Sequence, residues 1–302
     1  MTFPPQPPPP TVSDVQLTPR LFERSSDAIT RAVDRAEQVL DQGLKGRGRL
    51  LDIAAIKDGA SGRKKDARLC VYELLLESAE LARGNAFDHL RALPADLARD
   101  PRPALSHFTL VRAAMEAGGM FGYLTERDVD VHELLARIAG LRIADVDSAL
   151  RFAESHSGSP GLVAEVRKTE GELLDLFAAG GITHRRDRRG KLLETEVGGH
   201  TADGDMKIAK AARAFLDHDG HDPYNLVSGS AHSRPWVLGP AKVSSPGGAV
   251  LYLLWFTDAL LTAWLNRWSA FTGVEPDPSI AKVTQSIRFT IARAAAGEFN
   301  AV

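Results

Sequence analysis

The sequence predicts an all-α protein built as a single elaborated helical bundle. Apolar residues recur at steps of three and four along most of the chain, which is the spacing of amphipathic helices. No strand-like segments alternate with these helical segments, and no repeat of fixed period is evident. The 302 residues are 44% hydrophobic and 25% charged, a composition typical of soluble globular proteins with a sizeable core. We therefore expect one helical-bundle domain over residues 18–298.

The first 17 residues differ in composition from this domain. They begin with MTFPPQPPPP, where the prolines favour a disordered or polyproline-II tail. This segment has neither the basic start nor the apolar stretch of a secretory signal, so we expect a cytoplasmic protein. The single cysteine, Cys70, excludes an internal disulfide and a cysteine-based zinc site. Because Cys70 lies in an apolar helical run, we expect a buried thiol.

The predicted helices follow one another through the whole domain. The first has Leu21, Phe22, Ile29 and Val33 on one face, and Gly43 ends it. Further helices are predicted at about 66–93, 104–125, 130–156, 161–179, 205–218, 223–233, 247–272 and 278–297.

Three connections between the helices have patterns of their own. Residues 45–68 are rich in glycine and basic residues and are expected to form a loop around a short helix. RALPADLARDPRP, residues 91–103, is expected to be a proline-broken turn. The one segment with strand character predicts a short hairpin or a loop near 181–200. Its basic tip, HRRDRRGK at 184–191, offers contacts to RNA phosphates, but the acidic residues nearby favour a solvated tip.

Net charge and hydropathy restrict the partners of this chain. A formal net charge of −2 leaves no global positive field for RNA or anionic membranes, so any RNA contact has to be local. The membrane candidate is AVLYLLWFTDALLTAWL, residues 249–265, but the central Asp258 would cost about 3 kcal/mol in a bilayer. We expect a buried core helix and no membrane partner. A carboxylate buried there needs a cation or a donor, and Arg112 or His232 is the expected partner.

The helix predicted at 223–233 carries a row of polar side chains. At 100° per residue Tyr224, Ser228 and His232 fall nearly in line, with Asn225 beside them. One interpretation is a functional site, and the other is a set of hydrogen bonds that fasten this helix to the bundle.

The helix predicted at 104–125 offers a second polar pair. Arg112 and Glu116 lie one turn apart on it. The glycines that follow would let a neighbouring helix approach closely. These glycines are Gly118, Gly119 and Gly122. Two further polar residues are expected on the inward face of another helix, Asn85 and His89.

Three segments together resemble a known group of proteins. FDHLRAL, FTLVRAAMEAGG and YNLVSGSAHSRPW follow the order of landmarks in uncharacterised bacterial all-helical proteins, with an Arg-x-x-x-Glu helix early and a Tyr-x-x-x-Ser-x-x-x-His segment late. The similarity spans about residues 83–236 as scattered positions. More distantly, these proteins resemble the HEPN-type helical families of toxin–antitoxin and phage-defence systems. In HEPN ribonucleases an arginine stands shortly before the active histidine, whereas Asn225 stands seven residues before His232 here.

The resemblance implies a stress or defence protein that is a metal-independent ribonuclease, with RNA as its partner. It also implies a homodimer, because HEPN active sites are usually built across two chains, and no cofactor. His232 would act as general acid or base and Arg112 would stabilise phosphate charge, while Tyr224 and Asn225 would orient the scissile group. The residues expected to line this polar pocket are Arg112, Glu116, Tyr224, Asn225, Ser228 and His232.

Two alternatives stay open at this point. The first is a non-enzymatic helical module that binds a small molecule or a protein partner, with the polar row as its structural core. The second is a metal-dependent enzyme that uses the carboxylates and imidazoles of LDHDGHD, although Gly220 and Pro223 also fit a helix end followed by a turn. The donors of that segment are Asp217, His218, Asp219, His221 and Asp222.

Overall fold

A computed structural model describes residues 18–41, 47–99, 106–155, 160–216, 223–231, 246–273 and 282–299. Within these ranges the chain has ten α-helices and one three-stranded antiparallel sheet. The helices are α1 (Pro19–Leu40), α2 (Arg47–Asp58), α3 (Gly62–Ala98), α4 (Ser106–Leu124), α5 (Val131–Ser155), α6 (Pro160–Gly180), α7 (Ile208–Leu216), α8 (Pro223–Ala231), α9 (Pro246–Thr272) and α10 (Gln285–Ala295). The strands are β1 (Ile182–Arg186), β2 (Leu192–Val197) and β3 (His200–Asp203).

The prediction of an all-α protein is confirmed. The predicted N-terminal tail, residues 1–17, lies outside the described residues. The short helix expected within 45–68 is α2.

The predicted turn at 91–103 is wrong in its first half, because α3 continues through Pro94 to Ala98. A proline inside a helix costs about 3 kcal/mol, since it removes one backbone hydrogen bond and crowds the preceding turn. Leu90, Leu93 and Leu97 are all buried around it. Full burial of a leucine side chain contributes about 1.5–3 kcal/mol, so this apolar face offsets the cost of the proline.

The hairpin predicted near 181–200 is confirmed, and a third strand extends it. β1 pairs antiparallel with β2, and β2 pairs antiparallel with β3. Gly198 and Gly199 join β2 to β3 with φ angles of 60° and 87°. A two-residue turn with positive φ at both positions strongly favours glycine. This turn sets the start of β3 at His200.

The described chain divides into two compact units. The first unit comprises Met1–Leu44, Leu81–Gly122 and Ile208–Val302, and the second comprises Lys45–Glu80 and Tyr123–Lys207. The single domain expected over 18–298 stays a prediction.

The first unit is built around α9. The ring centroid of Trp264 in α9 lies 4.5 Å from that of Phe121, 5.3 Å from Phe215 and 5.9 Å from Phe87. These rings come from α4, α7 and α3, so one aromatic side chain contacts three other helices. α1 packs on both α9 and α10.

α9 contains the apolar segment that the sequence marked as a membrane candidate. Over Gly248–Thr272 it is long and apolar enough to cross a membrane, with a mean hydropathy of 1.5, and 94% of an 18-residue window in this span is buried inside the protein. Asp258 is fully buried, and Arg288 of α10 donates from Nε to its two carboxylate oxygens at 2.9 and 3.2 Å. Arg288 is therefore a partner of Asp258 that sequence periodicity alone does not predict. The expected partner His232 lies outside the described residues, so that expectation stays a prediction.

The second unit packs α5 against the sheet. Thr195 of β2 is fully buried and donates to the backbone oxygen of Ala136 at 2.6 Å. Gly140 lies one turn further along α5, where an added Cβ would approach the Thr195 hydroxyl to 3.3 Å. The small residue therefore allows strand and helix to touch. Cys70, in the α3 part of this unit, is exposed, so the expectation of a buried thiol is wrong.

Candidate functional site

Three of the predicted site residues meet in the first unit. Arg112 and Glu116 lie one turn apart on α4, and the Arg112 Nε atom donates to Glu116 Oε1 at 2.8 Å. Tyr224, in the first turn of α8, donates its hydroxyl proton to the same oxygen at 2.9 Å. We call Arg112, Glu116 and Tyr224 the arginine cluster. One carboxylate therefore ties together a guanidinium and a phenol from two helices.

The glycines after Glu116 bring a third helix, α7, against α4. A Cβ added to Gly118 would lie 2.5 Å from the Phe215 ring, and a Cβ added to Gly119 would lie 2.5 Å from the backbone nitrogen of Ala212. Real Cβ atoms do not approach other atoms so closely, so α7 can lie here only against glycine. The close helix approach predicted from these glycines is confirmed.

The sequence did not point to Arg213 of α7, which also reaches this place. Its guanidinium carbon lies 5.5 Å from the centroid of the Tyr224 ring, a distance at which a cation and an aromatic face attract. The Arg213 Nη2 atom donates to Asn225 Oδ1 at 2.5 Å. Arg213 stands five residues before His218, an arginine–histidine spacing too frequent in this chain to single it out. Its contact with Tyr224 follows from the packing of α7 and α8.

Burial and hydrogen bonding set the charge states of the arginine cluster. Burial, and then the hydrogen bond to Glu116, raise the pKa of Tyr224 above its ordinary value of 10.0. Burial alone would lower the pKa of Arg112, but the hydrogen bond to Glu116 and its negative charge raise it overall. At neutral pH the cluster therefore presents a protonated phenol and a charged guanidinium.

Solvent reaches the charged part of the cluster. The side chain of Arg112 is 25% exposed and that of Glu116 is 28% exposed, whereas Tyr224 is 4% exposed. A guanidinium has five N–H donors, and paired donors of this kind match the oxygens of a phosphate. The arrangement can therefore hold an anion at Arg112 while Glu116 fixes the direction of the guanidinium.

The remaining predicted residues have separate outcomes. Asn225 is exposed and accepts from Arg213, and Ser228 is half-buried. His232 lies outside the described residues, so its role stays a prediction. Asn85, expected to face inward, is exposed, and His89 is half-buried. The expectation that Asn85 faces inward is therefore wrong. The helices packed against α3 decide which of its faces is buried, and Asn85 lies on the other face.

No family model, curated protein or solved structure significantly matches the chain. The HEPN-like relationship accordingly stays a prediction from the sequence segments.

The basic tip of the hairpin forms local ion pairs. Arg185 donates to Glu194 at 2.9 Å, and Arg186 donates to Asp147 of α5 at 2.8 Å. The Lys191 Nζ atom lies 3.3 Å from Asp205. These pairs agree with the solvated tip that the acidic neighbours favoured.

The Asp/His segment at 217–222 lies outside the described residues, so the metal-dependent alternative stays a prediction. Within the described residues, the side chains of Asp130, His132 and His200 meet in the second unit. No sequence motif joins these three residues, because His200 lies far along the chain from His132.

Proposed function

We propose that this chain is a HEPN-like helical protein of the stress or defence type that cleaves RNA without a metal ion. The observation that carries the proposal is the convergence of Arg112, Glu116 and Tyr224 at a place that solvent reaches. The three sequence segments support the family. The arginine cluster contains residues from two of these segments, the Arg-x-x-x-Glu pair and the tyrosine of the late segment.

RNA can be cleaved without a metal by its own ribose. The 2′-hydroxyl oxygen attacks the neighbouring phosphorus and loses its proton to a base, while the 5′-oxygen leaves with a proton from an acid. The products are a 2′,3′-cyclic phosphate and a 5′-hydroxyl. Negative charge grows on the phosphate oxygens during the attack, so a fixed cation beside them speeds the reaction.

In this proposal Arg112 is that cation. The pKa of Arg112 is raised, so it stays charged throughout the neutral range. Glu116 acts as a positioning residue, because it accepts from both Arg112 and Tyr224. Tyr224 and Asn225 orient the scissile group, and Arg213 adds a second positive charge above the Tyr224 ring.

His232 supplies the proton transfer, and Ser228 lines the same pocket. An imidazole gains and loses its proton near neutral pH, which suits an acid or base in this reaction. This role rests on the Tyr-x-x-x-Ser-x-x-x-His segment. By the same resemblance we propose a homodimer, which sedimentation of the purified chain measures.

A non-enzymatic module is the competing proposal, and one observation favours it. The Tyr224 hydroxyl is nearly buried and already bonded to Glu116, as in a contact that only fastens α8 to α4. The module predicts that substitutions in the cluster lower stability and leave RNA untouched.

The deciding experiment is RNA cleavage by the purified full chain in the presence of a chelator, together with growth on expression. We expect wild type to release cyclic-phosphate ends. Arg112→Ala and His232→Ala should each lower the rate by about 10²- to 10³-fold, the loss typical of one charge-stabilising or proton-transfer group.

The matched control is Arg91→Ala. Arg91 is another helical arginine of the first unit that pairs with carboxylates, those of Glu37 and Asp88. It should cleave like wild type, and circular dichroism checks that every variant is folded. Intact RNA with wild type, or equal rates for wild type and His232→Ala, would overturn the proposal.

A further inference from the structure

Asp130, His132 and His200 of the second unit bring three metal-ligating side chains together, and we call them the histidine cluster. One ligand atom from each lies within 4.8 Å of the others. His132 Nδ1 is 2.8 Å from Asp130 Oδ1, and His200 Nε2 is 3.8 Å from the same oxygen. Two imidazoles and a carboxylate are a donor set that divalent transition metals accept.

Local structure holds each of these side chains. Asp130 precedes α5 and caps it, since the backbone nitrogen of His132 donates to Asp130 Oδ1 at 2.7 Å. His200 opens β3 directly after the glycine turn, in register with Val197. The two imidazole rings lie 5.8 Å apart and 21° from parallel, so the two histidines are neighbours across the glycine turn.

The separations lie near those of ligands on one ion. Bonds from zinc to imidazole nitrogen or carboxylate oxygen are about 2.0–2.2 Å, so two ligands of a tetrahedral ion lie about 3.3–3.6 Å apart. The two separations from Asp130 Oδ1, 2.8 and 3.8 Å, are within about half an ångström of this range. The third separation is at most 4.8 Å, so it needs a closure of up to about 1.2 Å, which the 43% exposed side chain of His200 permits.

Two charged side chains near the histidine cluster act in opposite directions on a cation. The carboxylate of Asp130 attracts it as a ligand. The Arg68 guanidinium, whose Nη2 atom would lie 3.8 Å from a Cβ added to Gly198 in the same glycine turn, repels it.

We propose that Asp130, His132 and His200 bind one divalent transition-metal ion, with Zn²⁺ as the probe. Three protein ligands leave at least one position to water, and the side chain of Asp130 is 47% exposed. Such a site can activate water or hold an exchangeable ligand, unlike a structural site closed by four protein ligands. The proposal goes beyond RNA cleavage, because no residue of the arginine cluster takes part in it.

Equilibrium dialysis of the full, untagged, metal-stripped chain against Zn²⁺ tests the site. We expect one bound ion per chain. Asp130→Asn keeps a residue that caps a helix equally well, so it removes the charge while preserving α5. We expect Asp130→Asn and His200→Ala to raise the Kd by more than about 100-fold, since even a lost supporting hydrogen bond costs 10- to 100-fold.

Two controls separate this site from other histidines. His184→Ala removes an exposed histidine of β1 and should bind like wild type. The double substitution His218→Ala/His221→Ala removes the imidazoles of the 217–222 segment and should also bind like wild type. Substitution of Co²⁺ adds a spectrum, whose visible ligand-field bands should vanish in Asp130→Asn and His200→Ala.

Three outcomes would overturn the site: no Zn²⁺ bound by wild type, unchanged Kd in Asp130→Asn and His200→Ala, or loss of binding only in the 218/221 variant. RNA cleavage is measured with chelator present, and metal binding is measured without RNA. Failure of the metal-site proposal can therefore be distinguished from failure of the proposed RNA cleavage.

Discussion

The arginine cluster and the histidine cluster are both small groups of polar side chains, but the chain assembles them in different ways. The arginine cluster depends on helix packing, because α7 reaches α4 only over Gly118 and Gly119. The histidine cluster depends on two local features, a helix cap at Asp130 and a glycine turn before His200. The first is therefore sensitive to the core around it, and the second to its own turns.

This difference predicts which substitutions affect only one of the two clusters. A change in the core of the first unit should disturb the arginine cluster at a distance. The contacts that hold the histidine cluster all lie within the second unit, so metal binding should survive such a change as long as that unit stays folded.

The largest effect is expected at the ion pair between the buried Asp258 and the half-buried Arg288 in the first unit. Arg288→Met leaves the fully buried Asp258 without this partner, and loss of one member of a buried pair costs about 3–5 kcal/mol of unfolding free energy. Chemical denaturation measures the loss. Arg293→Met removes a partly exposed pair with Glu298 and should cost no more than about 1 kcal/mol.

A second substitution sharpens this result. Adding Asp258→Asn to Arg288→Met removes the buried charge, so we expect much of the stability to return. Equal losses for Arg288→Met and Arg293→Met would contradict a stabilising role of the Asp258–Arg288 ion pair.

The parts of the arginine cluster that local helix geometry fixes are predictable from the sequence. Arg112 and Glu116 are one helical turn apart, and the glycines that follow them predicted the close approach of a neighbouring helix. Arg213 and Arg288 were not found, because their contacts arise when helices distant in sequence pack together. The fold class followed from the helical periodicity of apolar residues. The continuation of α3 through Pro94 did not, because it depends on the burial of nearby leucines, which a local sequence pattern does not show.

The histidine cluster could not be found from sequence for a related reason. Asp130 and His132 are neighbours, but the third ligand comes from a strand that the sequence did not predict. A hairpin was expected near 181–200, and the extension by β3 brings His200 to the start of α5. The pairing of β3 with β2 is what places His200 beside Asp130 and His132.

A substitution of intermediate effect tests the packing of the arginine cluster. Gly119→Ala puts a methyl group 2.5 Å from the Ala212 backbone and should cost about 1–3 kcal/mol, because α7 has to move away from α4. RNA cleavage should fall with it, while Zn²⁺ binding stays at the wild-type Kd. Thermal unfolding, cleavage and dialysis measure the three quantities.

The matched control is the same change at a helical glycine in open space. An added Cβ at Gly84 of α3 meets nothing within 4 Å, so Gly84→Ala should stabilise the protein by up to about 1 kcal/mol. Opposite signs at the two glycines would support the close approach of α7. A neutral Gly119→Ala would contradict it.

The smallest effect concerns the acid sensitivity of the first unit. His107, near the start of α4, is 6% exposed, and its Nε2 atom has no hydrogen-bond partner among the described residues. Burial lowers the pKa of His107 below its ordinary value of 6.5, and the charge of Asp96 opposes this only in part. The unfolded chain therefore takes up a proton at a pH where the folded chain does not.

This linkage makes stability fall as the pH drops from about 6.5 towards the lowered pKa of folded His107, with no contribution above that range. Each unit of difference between the two pKa values is worth about 1.4 kcal/mol. His107→Gln removes the titration, so its unfolding free energy should decline less than that of wild type between pH 7 and pH 5.5. His184→Gln, at an exposed histidine, is the control. Parallel pH profiles for wild type and His107→Gln would show that the acid sensitivity of the first unit comes from other groups.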